Sequence, residues 1–214
     1  MEKKRRSRNS QRTNLAKKEN KQAAIARKKQ LRRAKRIGQL MAVVFVLSCL
    51  WFLVFIETHR VDGQSMKPTL QDHDRLFVRK NRTPERYDLI TFTPPNNPKE
   101  SYVKRVIGLP GDRIWVDNNS VYLNQSLAEE DQVMTSNQFL SGEALPDGTI
   151  KVWVTEAVAK EFYSMRVIPA DHYFVLGDNR NHSTDSRHFG LVKKQAVEGV
   201  VTFRYYPVPR LGGL

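Results

Sequence analysis

Ser65 opens the segment Ser65-Met66-Lys67-Pro68-Thr69-Leu70, a short distance beyond residues 37–56, which hold no charged side chain. A serine hydroxyl is a weak nucleophile until a neighbouring base takes its proton, so its chemistry depends on what lies beside it. The Gly-x-Ser-x-Gly elbow is missing: Gly63 stands two residues before Ser65, but Lys67 occupies the place of the second glycine. The five histidines are His59, His73, His172, His182 and His188, and none sits in a local context that suggests a triad base. His182 and His188 read as loop residues, too isolated by spacing for a metal site, and residues 57–214 contain no thiol. No metal and no cofactor is expected.

A lysine is the other available base. Lys104 lies in Ser101-Tyr-Val-Lys-Arg-Val-Ile-Gly-Leu-Pro-Gly-Asp112, a short strand running into a Pro-Gly turn. Alternation along a strand puts Tyr102, Lys104 and Val106 on one face and Val103, Arg105 and Ile107 on the other. A lysine held among apolar side chains loses its charged form, and its pKa falls toward neutrality, where it can accept a serine proton. The same segment also fits a surface lysine whose stem lies on apolar neighbours and whose head stays in water. A third segment, Gly177-Asp-Asn-Arg-Asn-His-Ser-Thr-Asp-Ser-Arg187, is a dense polar loop following an apolar strand. Within it Asp185 and Arg187 can pair to fix the loop, and Ser183 can exchange a hydrogen bond with an amine.

The elements that carry these residues begin with the apolar stretch. Residues 37–56 have the length for a helix of roughly 30 Å, the thickness of a bilayer's hydrocarbon core. The run is longer than the apolar core of a cleaved signal and is followed by Glu57-Thr-His-Arg60, so an uncleaved transmembrane anchor is expected. Residues 1–36 hold 16 Lys and Arg against Glu2 and Glu19, which accounts for the whole formal charge of +14. The remainder is neutral, which argues against reading the charge as a nucleic-acid footprint. The positive-inside rule makes the basic tail, residues 1–36, cytoplasmic and residues 57–214 extracellular. The single cysteine, Cys49, lies in the anchor, so the external part must build its core without a disulfide.

Strand-like runs dominate that external part. They lie at 75–79, 89–92, 102–107, 113–116, 121–123, 150–154, 173–176 and 199–205, with turn formers such as Pro94-Pro95, Pro110-Gly111, Asn118-Asn119 and Asp147-Gly148 between them. Residues 156–164 form the one plausible helix. The expected fold is mainly antiparallel β, barrel- or sandwich-like, after a single N-terminal transmembrane helix. Residues 113–169 are expected to form a smaller β insertion.

The three segments Ser-Met-x-Pro-Thr-Leu, Tyr-Val-Lys-Arg-Val-Ile-Gly-Leu-Pro-Gly-Asp and Gly-Asp-Asn-Arg-x-x-Ser-x-Asp-Ser-Arg-x-Phe-Gly, in this order behind an anchor, resemble the membrane-bound type I signal peptidases. The resemblance covers the chain from the anchor onward, and the single anchor is similar to the short forms of Gram-positive bacteria. It implies Ser65 as nucleophile, Lys104 as general base and Ser183 as a hydrogen-bond partner of the lysine amine. It further implies a structural ion pair between Asp185 and Arg187, a supporting loop at Asp178 and Asn179, and shallow pockets lined by Val61, Met66 and Val103. Gly63 stands where some members carry a serine whose hydroxyl helps to hold the oxyanion, and Asn181-His182 replaces an Asp-Asn pair of some relatives.

The implied function is removal of signal peptides from exported preproteins at the membrane surface by a Ser–Lys dyad, after small residues at Ala-x-Ala-like sites. The expected partners are those signal peptides and the lipid bilayer, with no nucleic acid. A self-cleaving repressor-type Ser–Lys protease is a rival reading, but it would need a DNA-binding domain and would have no use for an anchor. A membrane-tethered binding module, with Ser65 and Lys104 structural, is the rival from another class. Peptidase activity in detergent, lost in Ser65→Ala, separates it from the enzyme.

Overall fold

A computed structural model describes the backbone of residues 2–125 and 148–214, with side chains described from residue 27 onward. The chain divides into two units, Met1–Val54 and Phe55–Leu214. The first belongs to helix α1 (Glu2–Phe55), whose segment Arg27–Phe55 is long and apolar enough to cross a membrane. Leu40, Phe45, Leu47 and Leu53 are all exposed on it. Helical residues that are apolar all round and not packed on protein fit a single-pass membrane anchor. The basic residues from Arg27 to Arg36 continue the same helix. Ile56, the last residue of the expected anchor, opens the first strand instead.

The second unit is mainly antiparallel β, a curled half-barrel sheet with a smaller sheet beside it. Its elements in chain order are β1 (Ile56–Arg60), β2 (Arg75–Arg79), β3 (Leu89–Phe92), β4 (Tyr102–Gly108), β5 (Arg113–Asp117), β6 (Ser120–Asn124) and β7 (Thr149–Trp153). There follow α2 (Glu156–Phe162), β8 (His172–Leu176), α3 (Ser186–Phe189), β9 (Val192–Lys193), β10 (Val197–Tyr206) and β11 (Gly212–Gly213). The larger sheet has the order β1-β2-β10-β3-β4-β8-β9, with β11 added to β10. The smaller one has the order β5-β6-β7. The expected insertion of residues 113–169 includes residues 126–147, which lie outside the described residues.

Each sheet face is closed by side chains that the β-period delivers. In β2, Leu76 and Val78 are buried between the exposed Arg75 and Arg79, the pattern of a strand with one face inward. Leu76, Val78, Leu89 and Val201 pack with Val61, Met66 and Leu70 into one cluster, with Val103 against it. Residues on both sides of Ser65 are therefore locked into the core, which fixes a segment that has no regular secondary structure. A second cluster, Ile90, Phe92, Val106, Tyr173, Val175, Val192 and Val200, joins strands β3, β4, β8, β9 and β10. A third gathers Ile114, Val121, Leu123 and Val152 of the small sheet with Val158 and Phe162 of α2 and with Phe174 and Leu176 of β8.

Candidate active site

Strand β4 decides the site, because it turns Lys104 and Arg105 to opposite sides. Lys104 is 4 % exposed, and its Nζ donates to Ser65 Oγ at 2.8 Å and to the Val103 carbonyl at 3.0 Å. Among the described residues it has no ion-pair partner. Burial lowers its pKa from the usual 10.5 to about 8, and the Asp185 carboxylate works in the opposite direction. The ring of Tyr102, with its centroid 5.1 Å from Nζ, also favours the charged amine. Desolvation outweighs both.

Arg105 binds the polar loop from the other side of the strand. Its Nε and Nη2 donate to Asp178 Oδ1 and Oδ2 at 2.8 and 2.6 Å, a bidentate pair. Thr69 Oγ1 donates to the same Asp178 Oδ2 at 2.6 Å. Burial opposes the ionised form of Asp178, but the hydrogen bonds from Arg105 and Thr69 and the charges of Arg105 and Arg180 leave its pKa lowered. One carboxylate thus joins β4, the Ser65 segment and the 177–187 loop. Asn179 completes the joint: its N–H donates to the Ser65 carbonyl at 2.9 Å and its Nδ2 to the Gln64 carbonyl at 3.1 Å.

The far end of the loop is fixed by Asp185, which is fully buried. It accepts from Arg187 Nε at 2.7 Å, Arg187 Nη2 at 2.9 Å and the Gly177 N–H at 2.9 Å, and it caps α3. Burial pushes its pKa up, and these hydrogen bonds more than reverse that, so the carboxylate stays ionised well into acid. Ser183 is packed between the two ends of this loop. Its Oγ is buried and makes no hydrogen bond of normal geometry, although it lies close enough to Asp185 to contribute to lowering that pKa. The two hydrogen bonds of the Lys104 amine go to Ser65 and Val103, not to Ser183.

Gly63 has φ +95°, a conformation that glycine adopts without strain. Its N–H donates to Asp72 Oδ1 at 2.9 Å, so it is committed to that carboxylate. His73 lies beside it, with Nε2 at 3.4 Å from Asp72 Oδ2 and Nδ1 accepting from Arg60 Nη2 at 2.6 Å. Asp62, Asp72 and His73 are the one grouping with metal-ligand chemistry among the described residues. All three are exposed, and Arg60 already supplies cationic charge there.

A cleft of about 760 Å³ runs past these groups. Its lining includes Ser65 and Lys104 with Val61, Met66 and Val103, and also His59, Ser101, His182 and Thr184. Of the two histidines read as loop residues, His182 is thus on the cleft wall, and His188 lies in the short helix α3. Sequence reasoning missed Arg105 and Thr69 as partners of Asp178, although the opposite facing of Arg105 and Lys104 was legible. Asp72 gave no local signal.

The chain matches the family described as "Signal peptidase, peptidase S26" over residues 34–206. It is 39% identical to a signal peptidase I of Bacillus caldolyticus, over 84% of this chain and 94% of that protein. It is 33% identical to signal peptidase IB of Staphylococcus aureus, over 78% of this chain and 86% of that protein. A solved signal peptidase I of Enterococcus faecalis has 30% identity and a TM-score of 0.35, covering 56% of this chain and 98% of its own. A family match over most of the chain, with relatives at 33–39% identity over most of its length, shows that the chain belongs to the signal peptidase family, peptidase S26.

Proposed function

We propose that the protein removes signal peptides from exported preproteins, cutting after small residues with Ser65 as nucleophile and Lys104 as general base. The observation that carries this reading is the 2.8 Å contact between Lys104 Nζ and Ser65 Oγ, with the lysine buried and its pKa lowered. The neutral amine accepts the hydroxyl proton along that line as Oγ attacks the carbonyl carbon of the residue before the scissile bond. The Ser65 N–H helps to hold the developing oxyanion. Collapse expels the amine of the next residue, which takes the proton from the Lys104 ammonium. Water then attacks the acyl carbon as Lys104 takes its proton, the acyl–Oγ bond breaks to release the acid product, and Lys104 returns the proton to Ser65 Oγ.

A small apolar side chain before the scissile bond lies against Val61, Met66 and Val103, which line the cleft with Ser65; Val61 and Met66 are buried in the core and Val103 packs against it, which limits how far they can yield to a larger one. The anchor keeps enzyme and substrate at one membrane surface, which lowers the entropic cost of their encounter. With the basic tail cytoplasmic, the catalytic unit lies outside, where exported preproteins emerge.

The deciding experiment is processing of a preprotein with an Ala-x-Ala site by the purified full-length protein in detergent. Cleavage at that site, absent in Ser65→Ala, is the expected result. Equal cleavage by Ser65→Ala would overturn the assignment.

The same reading sets the pH dependence. With a pKa of about 8, only roughly a tenth of Lys104 is neutral at pH 7. kcat/KM is expected to rise about tenfold for each pH unit below that value and to level off above it. A profile flat from pH 6 to 9 would exclude a titrating lysine as the base.

A further inference from the structure

The cleft lining is mixed: Val61, Met66 and Val103 bring aliphatic side chains to it, and His59 of β1 and Ser101, which precedes β4, bring polar ones. Behind these two stands Glu198 of β10. Its Oε1 accepts from Thr93 Oγ1 at 3.1 Å and its Oε2 from Ser101 Oγ at 2.5 Å. His59 Nε2 lies 3.8 Å from the same Oε2, is buried, and has no hydrogen-bond partner. With its Nε2 edge turned to that carboxylate, the ring leaves Nδ1 to exchange a hydrogen bond with a further polar group, and a hydroxyl can serve as donor or acceptor there. The ring is 16% exposed.

Strand geometry gives His59 a place on the substrate. His59 and Val61 are two residues apart in an extended segment, so their side chains lie on one side, roughly 7 Å apart. A substrate lying extended in the cleft has the same period. With the residue before the scissile bond at Val61 and Met66, its third residue before the bond comes to His59. Direction agrees: β1 follows an apolar helix in sequence, as the cleavage site of a signal peptide follows its own apolar stretch.

We infer that His59, oriented by Glu198, is a specificity-determining residue that selects a hydroxyl-bearing side chain, Thr or Ser, three residues before the scissile bond. This rests on the peptidase reading above. Thr and Val have nearly the same shape, so preference between them reports the hydrogen bond and not the size of the pocket. A site built around a polar atom discriminates strongly against the isostere that leaves the atom unpaired.

The experiment uses the full-length protein in detergent and preprotein substrates that differ only at the third residue before the cut: Thr, Val or Ala. Wild type is expected to process the Thr substrate with about tenfold higher kcat/KM than the Val substrate. His59→Leu brings that ratio to one or below, the ratio being read within the variant so that any change in its overall rate cancels. His59→Gln, which retains an acceptor, keeps a preference for Thr. A wild-type ratio at or below one, or a Thr preference surviving in His59→Leu, would overturn the subsite and leave the peptidase reading intact. Failure of wild type to process any of the substrates would overturn both.

Discussion

Lys104→Arg is expected to retain the fold and lose at least about 10³-fold in kcat/KM, the scale of removing a general base that acts as a unit with its nucleophile. A guanidinium remains protonated throughout the accessible pH range and cannot take the Ser65 proton. Lys104→Met, similar in volume and without a charge, is expected to be as inactive. Its stability separates catalysis from structure. The folded-state pKa of Lys104 is lowered to about 8, against 10.5 unfolded. Above about pH 10.5 neither state binds the proton, and no penalty exists. As pH falls from there to about 8 the unfolded chain binds the proton first, and native stability is lost; below 8 the loss is constant, at most roughly 3 kcal/mol. Lys104→Met removes that loss and is expected to melt no lower than wild type at pH 7. Melting temperature and kcat/KM measured on one preparation test this. Activity of Lys104→Arg within tenfold of wild type would refute the dyad, and a marked drop in the melting temperature of Lys104→Met would show that the charged lysine is paired.

Much of the fold was legible in the sequence because β-branched and aromatic runs between turn formers report strands directly. The runs at 75–79 and 89–92 coincide with β2 and β3, and the helix expected at 156–164 forms at Glu156–Phe162. β1 was hidden for a physical reason. Ile56 continues the apolar stretch, Glu57, His59 and Arg60 are polar, and the strand exists because residues 56–60 pair with residues 75–79 of β2. β9 and β11 are two residues each and owe their conformation to their partners. The site divides in the same way. Alternation along β4 separated Lys104 from Arg105, but the partner of Lys104 is 39 residues away and that of Arg105 is 73. Only the three motifs taken together brought Ser65 and Lys104 to one place. Local spacing carried no trace of Asp72 on the Gly63 amide or of Glu198 behind His59, since both come from strand register and loop closure.

Gly177→Ala is expected to cost about 10²-fold or more in kcat, although Gly177 touches no reacting atom. A Cβ at this position would lie 2.1 Å from Ser183 Oγ, 2.5 Å from Ser183 Cβ and 2.6 Å from the Ser65 carbonyl oxygen. None of these contacts is tolerable, and two of the neighbours cannot turn aside by a simple side-chain rotation. Ser183 is packed within a loop fixed by the Asp185–Arg187 pair, and the Ser65 carbonyl is held by the Asn179 N–H. The Gly177 N–H is itself bound to Asp185, so Gly177 cannot retreat without breaking that contact. The strain must therefore move the Ser65 backbone relative to Lys104, and a displacement near 1 Å of a reacting group costs on that scale. Overpacking adds roughly 1–3 kcal/mol of destabilisation. The readout that isolates positioning is kcat per folded molecule, set beside KM and the pH profile. A fall in kcat with KM within threefold of wild type, and with the apparent pKa near 8 preserved, would mean that the base is intact and the nucleophile is misplaced. If Gly177→Ala is less stable but fully active once folded, the close approach of the 177–187 loop to Ser65 serves stability alone. Adding Ser183→Ala removes the 2.1 Å clash with the hydroxyl but leaves those with the Cβ of residue 183 and with the Ser65 carbonyl, so the double variant is expected to recover only part of the lost stability and a minor part of kcat.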